Sequence, residues 1–228
     1  MAATLRQWRG DAAETRALAE EAHLFSEEHG LAFVSAMASI FLGWVLTREG
    51  QLDDGIAQMR RGLAAQLATG ADLNRPYWLC LIAEACLQAG AANDAQALLD
   101  DAEAAAVQTG ERVWEAEIHR LRGRGLLAAS EPATPEAVRT AEACFRHALD
   151  AARRQGARSL ELRAAMSLSR LWQAQGRERQ AHEFLAPIYQ WFTEGLDTPD
   201  LREANELLTQ LGASDFHQPY PSLLNGGA

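Results

Sequence analysis

The chain has 228 residues, 48% hydrophobic and 23% charged, and a formal net charge of -10. That balance suits a folded, soluble protein and sets the chain against nucleic-acid binding, which needs clustered Lys and Arg to displace counterions from phosphates. Three cysteines, Cys80, Cys86 and Cys144, form no CxxC pair, so neither a disulfide framework nor a zinc site is expected, and a reducing cytoplasm fits best.

Abundant alanine with only 7 prolines and 7% aromatics favours close-packed helices, because small side chains let helix backbones approach. The opening MAATLRQWRGDAAE has no apolar run followed by a small-residue cleavage site and does not read as a signal peptide. A lone helix is predicted near 11–29, ended by Gly30. Next comes the longest uncharged stretch, Leu31 to Thr47. It contains Ser35, Ser39, Gly43 and Thr47 and lacks flanking anchors, so it is expected to be buried in a helical stack and not to span a membrane. Helical hairpins are predicted near 31–69, 74–109, 112–155 and 158–194. A tenth helix near 198–211 follows, with Thr198 as N-cap and Pro199 in its first turn, and should cap the stack. Residues 1–211 read as a single domain and 212–228 as an irregular tail, whose Phe216, Tyr220 and Leu223 could still pack.

A recurrence near forty residues organises these elements, a length typical of two-helix solenoid repeats. Gly30, Gly70, Gly110 and Gly156 recur at 40, 40 and 46, each where a helix end wants a left-handed residue. Ala19, Met59, Leu99, Phe145 and Leu185 keep the same intervals, as do Thr15, Gly55, Ala95, Ala141 and Ala181 four residues earlier and Ala22, Gly62, Ala102, Ala148 and Ile188 three residues later. The stripe they form marks a core face. In the partner helices the pairs Leu42–Gly43, Ile82–Ala83, Arg122–Gly123 and Leu168–Ser169 recur, followed by turn glycines at Gly50, Gly90 and Gly176. The interval of 46 comes from SEPATPEAVRT, Ser130 to Thr140, an insertion expected to form one loop. Gly10 lies 40 before Gly50, so the chain is expected to start mid-repeat, its first hairpin lacking the first helix.

The segment LGWVLTREGQLDDGIAQMRRGL, Leu42 to Leu63, resembles the tetratricopeptide (TPR) pattern. From about Ala116 onward, AEIHRLRGRGLLA and AEACFRHALDAARRQGARSLELRAAMSLSRLWQAQGR resemble the C-terminal repeat region of bacterial adenylate/guanylate cyclase–ATPase signalling proteins. The resemblance implies an all-α, right-handed TPR-like α-solenoid of about ten helices: a half-repeat, four hairpins and a capping helix. It does not carry over an activity, because there is no phosphate-binding loop of the form GxxxxGK(S/T) and no cyclase metal-binding carboxylate pair.

First helices of solenoid hairpins line the concave side. Positions there that the core columns leave open are Met37, Ile40, Trp44, Tyr77, Cys80 and Glu84 in the early hairpins, and Glu117, Arg120, Arg124, Arg163, Met166 and Arg170 in the late ones. Trp44, Tyr77, Arg120, Arg124, Arg163 and Arg170 are therefore the candidate contact residues, for a protein or peptide with acidic groups matched to planar guanidinium forks. Against this stands a purely structural role, with the aromatics filling gaps and the arginines pairing with Glu117, Glu161 and other acids. Tyr189, Trp191 and Phe192 could cradle a ligand but more naturally pack on the last helix. The six histidines share no i, i+4 face and no GxSxG elbow occurs, so no catalytic, metal or cofactor residues are assigned. A homodimer formed through the open N-terminal half-repeat is the alternative function; an enzyme or small-ligand sensor on a helical scaffold is the remaining one.

Overall fold

The computed structural model describes residues 2–129 and 132–213. Among these residues the chain forms eleven α-helices, one 3-10 turn and no strand. They are α1 (Ala2–Trp8), α2 (Ala12–His29), α3 (Ala32–Arg48), α4 (Leu52–Ala68), α5 (Arg75–Gln88), α6 (Ala92–Thr109), α7 (Glu115–Ala128), α8 (Pro135–Gln155), α9 (Arg158–Ala174), α10 (Glu178–Gln190) and α11 (Pro199–Ala213), with the 3-10 turn Arg112–Trp114 leading into α7.

Each helix pairs with its neighbour in sequence, and α3, α5, α7, α9 and α11 also pack side by side. The second helices of successive hairpins make no comparable contact with one another. The first helices are therefore the inner layer, and their spacing bends the stack into a solenoid with a concave face. The predicted columns are the hairpin cores: Ala19, Met59, Leu99, Phe145 and Leu185 are all no more than 1% exposed. Thr15, Ala95, Ala141 and Ala181 are fully buried, while Ala22 and Ile188 at the column's two ends are only half-buried.

The tightest contact joins α3 and α4. A Cβ placed on Gly43 would lie 2.8 Å from the carbonyl oxygen of Gly55, and one on Gly55 would lie 2.6 Å from that of Gly43. Each glycine is what lets the opposite backbone approach. Arg122, which breaks the apolar column, stays half-buried and reaches back to Asp100 and Glu103 of α6 at 2.8 and 2.9 Å.

Three boundaries differ from the sequence expectation. The segment before Gly10 is helical, so the first hairpin has a short first helix where none was expected; seven residues are too few to display a period. The insertion forms a loop only in part, because Thr134 caps α8 by accepting from the Ala137 amide at 3.1 Å and Pro135 occupies the first turn, lengthening the helix. Helix α11 continues through Gly212 and Ala213, and the remaining tail with Phe216, Tyr220 and Leu223 lies outside the described residues.

Candidate interaction face

The first helices bring the predicted residues into two groups. At the early end, Ile40 and Trp44 of α3 and Tyr77 and Cys80 of α5 are all under 8% exposed and belong to one apolar cluster with Phe41, Trp78 and Ile82. Trp44 is thus a wall of the core beneath the face. Tyr77 is different: its ring stacks on Trp114 with centroids 4.5 Å apart, and its hydroxyl donates to the Gln7 side chain of α1. Trp8 stands edge-on to both rings, 6.3 Å from Tyr77 and 5.7 Å from Trp114. The end of α1 therefore reaches across the concave side. The turn that follows it meets the start of α11, where a Cβ on Gly10 would lie 2.7 Å from Cγ of Pro199.

At the late end the arginines form a ladder across four inner helices. Arg120 of α7 grips Glu117 with two bonds of 2.7 and 2.8 Å and donates to Glu84 of α5 at 3.1 Å. Arg124 donates to the same Glu84 oxygen at 3.0 Å. Arg163 of α9 lies 3.6 Å from Glu117 and 2.7 Å from Asp200 of α11. Arg170 pairs with Glu203 of α11 at 2.5 Å.

Burial divides these cations. The side chains of Arg120 and Glu117 are 8% and 6% exposed, whereas those of Arg124 and Arg170 are 36% and 44% exposed. Burial alone would raise the Glu117 pKa, but the Arg120 guanidinium, and behind it Arg163 and Arg124, hold it down at about 2. Glu84 is lowered for the same reason against the same opposition from burial. Burial works against the charged forms of Arg120 and Arg163 too, yet the carboxylates beside them push both pKa values up. Arg124 alone shifts down, because burial and the neighbouring Arg120 outweigh its shared acid.

Of the acids anticipated as partners, Glu117 takes that role, whereas Glu161 serves Arg153 and Arg158 at 2.8 and 2.7 Å, away from the face. Tyr189 and Phe192 pack on the C-terminal core that includes α11; Trp191 remains 56% exposed under the Arg158 guanidinium, 5.2 Å away. Two features escaped the sequence. One is the Trp8–Tyr77–Trp114 cluster, whose members lie 69 and 37 residues apart and share no column. The other is a cavity of about 270 Å³ between α8, α9 and α10, floored by Leu149, Leu168, Trp172 and Phe184. The guanidiniums of Arg177 and Arg146 sit 4.8 and 5.8 Å from the Trp172 ring. Among the described residues no group of three or more His, Cys, Asp or Glu is disposed to hold a metal ion, and no helix is long and apolar enough to cross a membrane.

No family model matches the chain. An uncharacterized protein of Rhizobium meliloti is 31% identical over 153 residues, 67% of this chain but 14% of that protein. The chain thus spans about a seventh of the length of the curated relative it matches. Two crystal structures of the nearly identical TPR-like repeats of a kinesin light chain candidate from Podosopora anserina share the fold. One superposes with a TM-score of 0.55 at 18% identity, covering 82% of this chain and 89% of that one. The other gives 0.52 at 16% identity, covering 95% and 94%. This chain is an all-α, TPR-like solenoid.

Proposed function

We propose that the chain is a non-catalytic protein- or peptide-interaction module that works through its concave face, as a scaffold or regulatory part of a cytoplasmic bacterial signalling system of the cyclase–ATPase kind. The bacterial relative supports a module within a longer bacterial protein, since the matching stretch is a small part of it; the cyclase–ATPase setting rests on the resemblance of the repeats. Trp44, Tyr77, Arg120, Arg124, Arg163 and Arg170 form the contact region, with unequal roles. Arg120 is buried and Arg163 half-buried, both hold the row in place, and Trp44 supports the face from beneath.

The observation that carries the reading is the pair Arg124 and Arg170. They occupy matching positions on neighbouring inner helices, both reach solvent, and each is held by an acid that is itself partly exposed. A partner's carboxylates can take over from Glu84 and Glu203 with little reorganisation, because a guanidinium fork binds either equally well. The test compares partners captured from the host's own lysate by the wild-type chain, by Arg124→Glu/Arg170→Glu, and by Arg139→Glu on the exposed side of α8. Capture by the double variant is expected to fall at least ten-fold with helicity intact, and the α8 control should bind normally. Equal capture by all three would sink the assignment.

Self-association is the second reading, favoured by apolar exposure at the first hairpin: Leu24, Phe25 and Leu31 are 67%, 53% and 41% exposed. Light scattering across a hundred-fold concentration range decides it. A dimer that Leu24→Ser/Phe25→Ser dissociates would establish it, and a monomer throughout would remove it.

A further inference from the structure

The end of α1 makes contacts that no other first helix of a hairpin makes. Its last residue meets Tyr77 in the first turn of α5 and Trp114 at the end of the 3-10 turn before α7, and Gly10 just after it meets Pro199 at the start of α11, three elements more than 60 residues away in sequence. Gln7 is 7% exposed, although every other residue of α1 is half-buried or exposed. Its side-chain oxygen accepts from the Tyr77 hydroxyl, which is carried on a ring only 3% exposed. A buried phenol needs such an acceptor. The indole of Trp8 closes over the stacked Tyr77 and Trp114 rings but remains 46% exposed, and Leu5 one turn back is 54% exposed.

We infer that Tyr77, Trp114 and Pro199 form a receptor slot on the concave face for a short segment carrying an aromatic residue preceded by a side-chain amide, and that α1 is its resident, displaceable occupant. The slot supplies two stacked rings for an indole edge and one hydroxyl donor for an amide oxygen, and α1 fills both with the dipeptide Gln7–Trp8. The occupant is held lightly. Trp8 and Leu5 keep about half of their surface in solvent, so its release exposes little further apolar area. Gly10 behind it, at φ 71° and directly against Pro199, is the pivot on which it leaves. A partner segment of the same chemistry that buries its aromatic residue more fully than Trp8 is buried displaces α1.

This inference rests on the reading of the concave face as the interaction surface, and its test is independent of any natural partner. The probe is a fluorescein-labelled, acetylated peptide with the sequence of residues 2–9, AATLRQWR. It is titrated by fluorescence anisotropy into the wild-type chain, into Trp8→Ala and into Trp8→Ala/Trp114→Ala; a peptide with alanine at both the Gln7 and Trp8 positions is the control. Trp8 is half-exposed, so its loss leaves the fold intact while vacating the slot. Trp8→Ala is expected to bind the peptide at least ten-fold more tightly than wild type, the double variant to lose that gain, and the control peptide not to bind. Gly10→Val, which pushes the turn off Pro199 without touching the slot's aromatic rings, should raise affinity in the same direction. Equal affinity of wild type and Trp8→Ala, absence of binding to both, or binding unaffected by Trp114→Ala would each overturn the slot. In that event a loss of partner capture by Arg124→Glu/Arg170→Glu would still stand for the wider face.

Discussion

The two halves of the solenoid reach the same architecture by different physics. In α3 to α6 the inner helices are nearly free of charge, and cohesion comes from aromatic and aliphatic side chains: Ile40, Phe41, Trp78, Ile82 and Leu99 are all 3% exposed or less. Helices there approach until backbone meets backbone at Gly43 and Gly55. In α7 to α11 the inner helices carry charge into the concave face, and neighbouring repeats are tied by Glu84–Arg120–Glu117–Arg163–Asp200. Close packing tolerates no added atom, whereas a buried ion ladder tolerates no missing member. One scaffold thus has a close-packed, nearly uncharged early half and a late half whose outer arginines, Arg124 and Arg170, reach solvent.

The sharpest way to break the late half is Glu117→Ala. It strands Arg120 and Arg163 without their shared carboxylate, and removal of one partner from a buried pair costs about 3–5 kcal/mol. Urea denaturation should show a correspondingly lower midpoint; a change below about 1 kcal/mol would mean that water already compensates these charges. For the early half, Gly55→Val drives a branched side chain into the Gly43 carbonyl and the Thr47 backbone, an overpacking expected to cost about 1–3 kcal/mol or more. Thermal unfolding followed by circular dichroism reads it. The corresponding contact in the late half sets a Gly123 Cβ 2.5 Å from the buried Phe145 ring, so Gly123→Ala should also destabilise, by about 1–3 kcal/mol of overpacking.

Acid should separate the halves next. Glu117 titrates at about 2 in the folded chain, below the roughly 4.3 of a free glutamate, so the unfolded chain takes up the proton first as pH falls. The stability it contributes is complete above about pH 4.5 and is lost between there and pH 2, on the order of 2–3 kcal/mol. Glu117→Gln should flatten that stretch of the stability profile. The smallest effect has the opposite sign: Gly125 lies inside α7 with only Leu87 Cδ2 near its Cβ position, at an ordinary 3.5 Å. Gly125→Ala is expected to stabilise by about 0.5–1 kcal/mol through helix propensity, read as a rise in the thermal midpoint.

Much of this molecule is local and therefore legible in one dimension. A glycine that ends a helix, an alanine column at fixed intervals and a Thr-Pro helix start each act within a few residues, which is why the hairpin limits and the core columns could be placed from the sequence. The resemblance to TPR repeats agreed with the fold for the same reason, since repeat identity is a matter of short-range pattern. The short α1 and the extra turns of α8 were missed because a seven-residue helix shows no period and a proline-bearing insertion reads as loop until its cap is seen.

What the sequence determined by itself was the repeat: the composition, the intervals of 40 and 46 and the choice of inner-helix positions. What only the tertiary structure decided was who meets whom across repeats. That Arg120, Arg124 and Arg163 share their acids, and that Trp8 lies on Tyr77 and Trp114, depends on the curvature of the whole stack. Curvature is the accumulated result of many small inter-helix offsets, and no single residue or spacing encodes it.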